Sequence, residues 1–259
     1  MQTKIDKKFP YGSYLGRYAN GLGISNDATT PLTLLDVAAG DMLDSTGTFQ
    51  IGSYLPMVIN SANVGLNGID TGVVADSTLY VVWLIADPQH LKPTGCMISL
   101  SYTQPLMPFG YSAFALIGYV ATDSSGHFLQ GYWTDTNTTS RLFMYDAPQA
   151  SPITAGTSTA YANVNLTGLV PLVNNLPVWI ASTYTPNAAG DTLHLQPGNA
   201  TGNSIVIAGQ VAHVVVTSNS LVMAQDVVIA SINSPVINYE VSSGSDSVAI
   251  DVAGYQFFL

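Results

Sequence analysis

The chain has 259 residues, 47% of them hydrophobic and only 8% charged, with a formal net charge of -10 at pH 7. Soluble domains carry roughly 25% charged residues, so this sequence can build a sizeable core but offers solvent a surface of Ser, Thr, Asn and Gln rather than ions. Four of its six basic residues, Lys4, Lys7, Lys8 and Arg17, lie in the first 17 positions, which leaves the body unable to neutralise a row of phosphates and excludes nucleic-acid binding by it.

In chain order, the first unit is residues 1–20. Its basic start, MQTKIDKKFP, leads into no apolar signal-peptide segment, so synthesis in a cytosol is expected. The stretch is rich in aromatics and punctuated by Gly, without a strand or helix period. Two readings are open: a disordered leader, or a docking arm that orders on a partner through Lys7, Lys8, Phe9, Tyr11, Tyr14 and Arg17. Beyond it β-branched and aromatic residues dominate and helix-favouring Lys, Glu and Arg are scarce, so an all-β fold is predicted. Strands are expected over Leu32–Ala38, Leu79–Ala86, Met97–Thr103, Ala113–Ala121 and His127–Trp133. In the second half they are expected over Leu176–Ser182, Ile205–Thr217, Val222–Ile232, Val236–Val241 and Ser247–Phe258. Only Gly52–Asn60 has the look of a short helix, and Pro56 interrupts it. The apolar run LYVVWLIA (79–86) reads as a strand covered on both faces and is far short of the roughly 20 residues of a membrane-spanning helix. Val211–Val216 and Ser247–Val252 alternate, as half-buried strands do.

Between these blocks, APQASPITAGTSTAY (147–161) loses the apolar pattern and gains Pro, Ser, Thr and Gly, the composition of a linker. The expected organisation is therefore a docking arm at 1–20, a β-rich domain at 21–148 and a C-terminal β-sandwich at 149–259. In fold class this is all-β, with two tandem jelly-roll-like β-sandwiches.

Motifs for chemistry are sparse. His90, His127, His194 and His213 stand far apart with the single Cys96, so no zinc-ligand spacing exists and no metal or cofactor is expected. Cys96 reads as a small buried hydrophobe and His213 as a core or interface residue. No Gly-x-Ser-x-Gly elbow, phosphate-cradling loop or dinucleotide fingerprint occurs. Asp36, Asp41 and Asp44 in LLDVAAGDMLDSTG form the densest carboxylate group. They read either as acid, base or calcium ligands, or as turn and cap acceptors, the ordinary work of Asp beside Gly and Ser. Trp83 and Trp133 lie in apolar strands, where core packing is expected over a sugar platform.

Three segments in order, GLGISNDATTPLTLLDVAAGDMLDSTGT (21–48), GIDTGVVADSTLYVVWLIAD (68–87) and ALIGYVATDSSGHFL (115–129), resemble structural proteins of tailed bacteriophages, of the tail-fibre or head-fibre and decoration kind. The matching positions are Ser25-Asn26, Asp36 to Gly40, Asp44 to Thr46, Ile69 to Gly72, Tyr80 to Ile85 and Ile117-Gly118. The likeness covers the first half well and the second only in plan. Cations usual in that family are missing from SYLPMVINSANVGLN (53–67), and a basic pair gives way to Phe114-Ala115-Leu116, which suits a more hydrophobic, obligate interface. The resemblance implies a non-enzymatic virion protein, made in the host cytoplasm: a homotrimeric fibre, adaptor or short peg. Lys7, Lys8, Phe9, Tyr11, Tyr14 and Arg17 would be its virion-docking residues, and the C-terminal sandwich would face a host glycan or another subunit. Its expected partners are copies of itself and other tail, collar or capsid proteins, with no nucleic acid and no membrane insertion. A capsid-decoration or head-fibre protein is the alternative, and a glycan-degrading spike the rival from another class.

Overall fold

The computed structural model describes residues 19–137, 140–150, 153–173, 176–188, 190–198, 205–208, 221–229 and 235–258. The arm residues Lys7, Lys8, Phe9, Tyr11, Tyr14 and Arg17, together with His213 and the run Val211–Val216, lie outside them. The described residues form strands and no helix. In chain order the strands of the first half are β1 (Ala19–Gly21), β2 (Ile24–Asn26), β3 (Leu34–Val37), β4 (Gly40–Leu43), β5 (Gln50–Ser53), β6 (Met57–Asn60), β7 (Leu79–Ala86), β8 (Gly95–Ser99) and β9 (Ala113–Ala121). They continue as β10 (Gly131–Asn137), β11 (Ser140–Ala150), β12 (Ala162–Asn165), β13 (Leu176–Thr185), β14 (Leu193–Pro197), β15 (Ile205–Ala208), β16 (Leu221–Ile229), β17 (Val236–Val241) and β18 (Ser247–Phe258).

The run LYVVWLIA explains the layering. All eight residues of β7 are buried, and their alternation sends them to two different cores. Leu79, Val81, Trp83 and Ile85 join a cluster with Val164, Val178, Ile180, Leu193, Ile237, Tyr239, Ile250 and Val252. Tyr80, Val82, Leu84 and Ala86 join Leu22, Ile24, Leu35, Val37, Met42, Ile51 and Ile59. The small sheet β8-β7-β9 is therefore a middle layer with apolar packing on both sides. Trp133 on β10 touches both clusters, and its ring packs on Phe143 at 4.6 Å and Phe257 at 5.4 Å between centroids.

The largest sheet runs β16-β13-β18-β11-β10-β2-β3-β6, and a four-stranded sheet, β12-β17-β14-β15, faces its β13 and β18 across the first core to make a sandwich. In β18 the burial pattern alternates from Ser247 to Val252, as expected of a half-buried strand. The expected linker is partly strand: β11 continues through Ala150, where it pairs with Asp251. One sheet thus holds strands from both sides of residue 148, and the first core cluster does likewise. Apolar residues such as Phe143 and Tyr145 just before the Pro- and Ser-rich stretch bind it to β18, which composition averaged over the window does not reveal. Gly52–Asn60 is strand, turn and strand, with Pro56 in the turn where its missing N–H costs nothing.

Arg141 joins the layers. It is 1% exposed, and its guanidinium donates to the carbonyls of Leu22 at 2.8 Å, Ile117 at 2.6 Å and Gly21 at 2.6 Å. The acceptors sit at a left-handed turn and at a break in a ladder. Gly21 and Leu22 both have left-handed φ, 72° and 60°, and a Cβ on Gly21 would collide with the Ala39 carbonyl. The register of β7 on β9 slips between Val82 and Trp83, which face Gly118 and Leu116, so Ile117 lacks a partner across the ladder. Replacing Arg141 by Met keeps much of the volume but strands three carbonyls, each worth about 1–3 kcal/mol when buried and unpaired. Urea denaturation should show Arg141→Met destabilised by about 3 kcal/mol or more. Arg141→Lys, a point charge without the planar fork, should recover only part of that.

Candidate functional site

The three grouped carboxylates do not converge. Asp36 lies on β3 opposite Ser25 and Val58 in the large sheet. Asp41 lies on β4, where it accepts from the Asn20 amide at 3.1 Å and from the Gln50 amide. Asp44 is 3% exposed and closes the β4–β5 turn, accepting from the Thr48 and Phe49 amides at 2.9 and 3.0 Å and from the Thr46 hydroxyl at 2.9 Å. The cap reading fits Asp44, and among the described residues no three His, Cys, Asp or Glu side chains are placed to hold a metal ion.

Other acids repeat the pattern. Asp246, fully buried and not singled out by the sequence, accepts from the Tyr184 hydroxyl at 3.0 Å and from the amides of Asn187 and Ser243 at 2.8 and 3.0 Å. Its SSGSD context is the only sequence sign of a turn-capping role. Asp27 and Asp123 cap exposed turns. Amide donation from Thr30 and Thr29 holds the Asp27 carboxyl below its ordinary value, and donation from His127 and Ser125 does the same for Asp123. Cys96 is fully buried against the Met57 sulfur at 3.6 Å, and desolvation pushes its thiol well up, away from the reactive thiolate. Trp83 is core, as expected, with its indole N–H donating to the Ser101 carbonyl at 3.2 Å.

One end of the middle sheet does gather polar and aromatic groups around a cavity. Ala86 pairs with Ala113 and Ile85 with Gly95, so the β7–β8 turn and the segment entering β9 emerge side by side. Between them lies an open cleft of about 420 Å³ lined by Asp87, Gln89, Leu91, Lys92, Tyr111 and Ser112 among others. Asp87 is mostly buried at its floor and accepts from the Gln89 and Leu91 amides at 2.9 and 3.1 Å. That capping holds a turn in which His90 has φ 56°. The two walls are tied together: Tyr111 donates to the Pro93 carbonyl at 2.9 Å, Ser112 N–H to the Ala86 carbonyl at 3.2 Å, and the Lys92 ammonium to the Phe109 carbonyl. Lys92 also lies over the Phe109 and Tyr111 rings, 5.1 and 5.5 Å from their centroids. Gly110, at φ 85°, makes room for it, since a Cβ there would strike the ammonium. Burial and the Asp87 charge push the Tyr111 phenol up, which keeps it a neutral donor. Phe109 is 95% exposed and Leu91 80%. Sequence reasoning passed over this cleft, whose one signal was Lys92, the sole cation between Arg17 and Arg141.

No protein-family model matches the sequence, and no curated protein does. Among solved structures, the chain is similar to the crystal structure of the infectious bursal disease virus VP2 subviral particle, at 11% identity and a TM-score of 0.29, over 93% of this chain and 70% of that one. The structure of the Gx strain of infectious bursal disease virus aligns at 13% identity and a TM-score of 0.24, over 95% of this chain and 72% of that one. At such scores nothing about the arrangement or role of this chain follows from either.

Asp44→Ala should lower stability by about 1–3 kcal/mol through its orphaned turn amides, whereas Asp36→Asn should leave the denaturation midpoint nearly unchanged. A loss of polysaccharide cleavage in folded Asp36→Asn or Asp41→Asn protein would show instead that these acids do chemistry. For Asp27 and Asp123 the folded pKa lies below the unfolded one. Their contribution is therefore complete above the unfolded value of about 3.9 and is lost as pH falls through the lower folded value. Carboxyl-carbon NMR titration should place both midpoints below 3.8.

Proposed function

We propose that this chain is a non-enzymatic structural protein of a bacteriophage particle: a homotrimeric fibre, adaptor or short peg, attached through residues 1–20 with its C-terminal sandwich outward. The observation that carries the reading is the surface. Tyr54, Val73 and Leu55 are each more than 70% exposed, in a chain with 8% charged residues to keep copies apart. Large apolar side chains on a nearly uncharged β surface are a liability in a free monomer and an asset at subunit contacts. Asp44 and Asp246, each accepting several hydrogen bonds, are spent on turns, which suits a scaffold. The resemblance of residues 21–129 to tailed-phage structural proteins supplies the kind of assembly. A closed trimer would cover exposed edges and multiply weak contacts into avidity.

Light scattering on the full-length protein should give a mass of three 27.3-kDa chains, and cryo-electron microscopy of purified particles should place the chain on the tail or collar with residues 1–20 against a neighbour. Density at capsid lattice positions would make it a decoration or head-fibre protein. A stable monomer absent from purified particles would overturn the reading.

A further inference from the structure

We propose that the cleft between the β7–β8 turn and the segment entering β9 is a carbohydrate site that takes one or two pyranose rings. The inference deepens the particle-protein reading, and rests on it only for where the sugar would come from, a host surface. It moves the expected glycan contact from the C-terminal sandwich to the N-terminal half.

The cleft volume, about 420 Å³, lies at the small end of the range for ligand sites, roughly 300–1,000 Å³. Its lining presents both signs of charge, Asp87 and Lys92, and both hydrogen-bonding senses, with Gln89 and Ser112 exposed beside them. A simple anion would meet the Asp87 carboxylate and a simple cation the Lys92 ammonium. A polyol, whose every hydroxyl donates and accepts, can satisfy both. Each Asp87 oxygen receives one backbone N–H and keeps acceptor capacity for a sugar hydroxyl. Lys92 holds its place over two rings and has no carboxylate within salt-bridge distance among the described residues, where the one such contact is His127 with Asp123. Two of its three N–H donors remain for a ligand.

The apolar part fits as well. A pyranose has a face of C–H groups that lies flat against an aromatic ring, and Phe109, next in the chain to the lining Gly110 and with its ring 5.1 Å from the Lys92 ammonium, offers one that is 95% exposed. An exposed Phe beside a lysine ammonium and a glycine with positive φ is costly to keep unless something covers it. The site is also preorganised, because Asp87 fixes one wall and the Tyr111, Ser112 and Lys92 bonds fix that wall to the other. Little ordering cost is then left for binding.

The test uses the full-length protein. It is screened against N-acetylglucosamine oligomers, galactose-terminated oligosaccharides and uronic-acid oligomers, and the best probe is then titrated calorimetrically into wild type, Phe109→Ala and Gln89→Ala. Both side chains are exposed, so both variants should keep the wild-type Tm. The expected result is binding that weakens about tenfold or more in Phe109→Ala, the size of a lost anchor contact, and several-fold in Gln89→Ala. Binding that both variants leave unchanged would place the sugar elsewhere, and no binding to any of the three probe classes by wild type would also overturn the proposal. A chain that binds sugar through this cleft but is missing from purified particles would keep the site and sink the particle reading alone.

Discussion

The structure hangs on the guanidinium of Arg141. A cation taken out of water without a partner costs several kcal/mol, so a buried arginine persists only where its donors are filled. Here three of those donor bonds go to carbonyls of Gly21, Leu22 and Ile117, from a left-handed turn and from the irregular point in β9. Of these acceptors, Ile117 is the residue skipped by the register slip of β7 on β9. The arginine and the irregularities are thus mutually required: the chain turns sharply at 21–22 and β9 changes pleat at 117 because one planar fork reaches both places. The turn brings β1 and β2 to the second core, and after the change of pleat the odd-numbered residues of β9 switch from one core to the other. Ala113, Ala115 and Ile117 face one cluster, whereas Tyr119 and Ala121 face the other.

This arrangement accounts for a middle layer in which apolar pressure comes from both sides. A three-stranded sheet is marginal by itself. With β7 buried along its whole length, it becomes the most constrained element of the fold. Its rigidity is passed to the loops that leave it. The cleft stands at the end where β7, β8 and β9 start or stop together, and its walls are loops anchored in that sheet. Functional side chains held by loops on a fixed scaffold are a general solution; here the scaffold is a sheet with no solvent face.

The sequence revealed what one strand decides by itself. Leu79–Ala86, Ala113–Ala121, Val236–Val241 and Ser247–Phe258 are strands over the ranges their pattern predicted, because apolar density and bounding Gly, Asp and Ser are local. The short strands β1, β2, β4, β5 and β6 carry three or four residues each, too few to show a period, and they exist through their partners. Gly40 and Gly52 look like turn residues but stand inside strands, where a side chain would strike neighbouring backbone. The roles of Arg141 were hidden for the same reason: two of its acceptors lie 119 and 120 residues away in sequence. Asp44 could be read, since Thr46, Thr48 and Phe49 are its neighbours in the chain.

The cleft lies between these cases. Each wall is visible as a turn, DPQHLKPT or MPFGYS, and each has ordinary turn chemistry. What sequence alone leaves open is that the two face each other, for that depends on the antiparallel pairing of β7 with both β8 and β9. Composition did hold a clue in the form of an exception. In a chain that has almost abandoned lysine after residue 8, Lys92 survives in a turn and is packed over two aromatic rings. A lone cation kept on an acidic, nearly uncharged surface needs a local reason. Tying two loops together is one, through the Phe109 carbonyl.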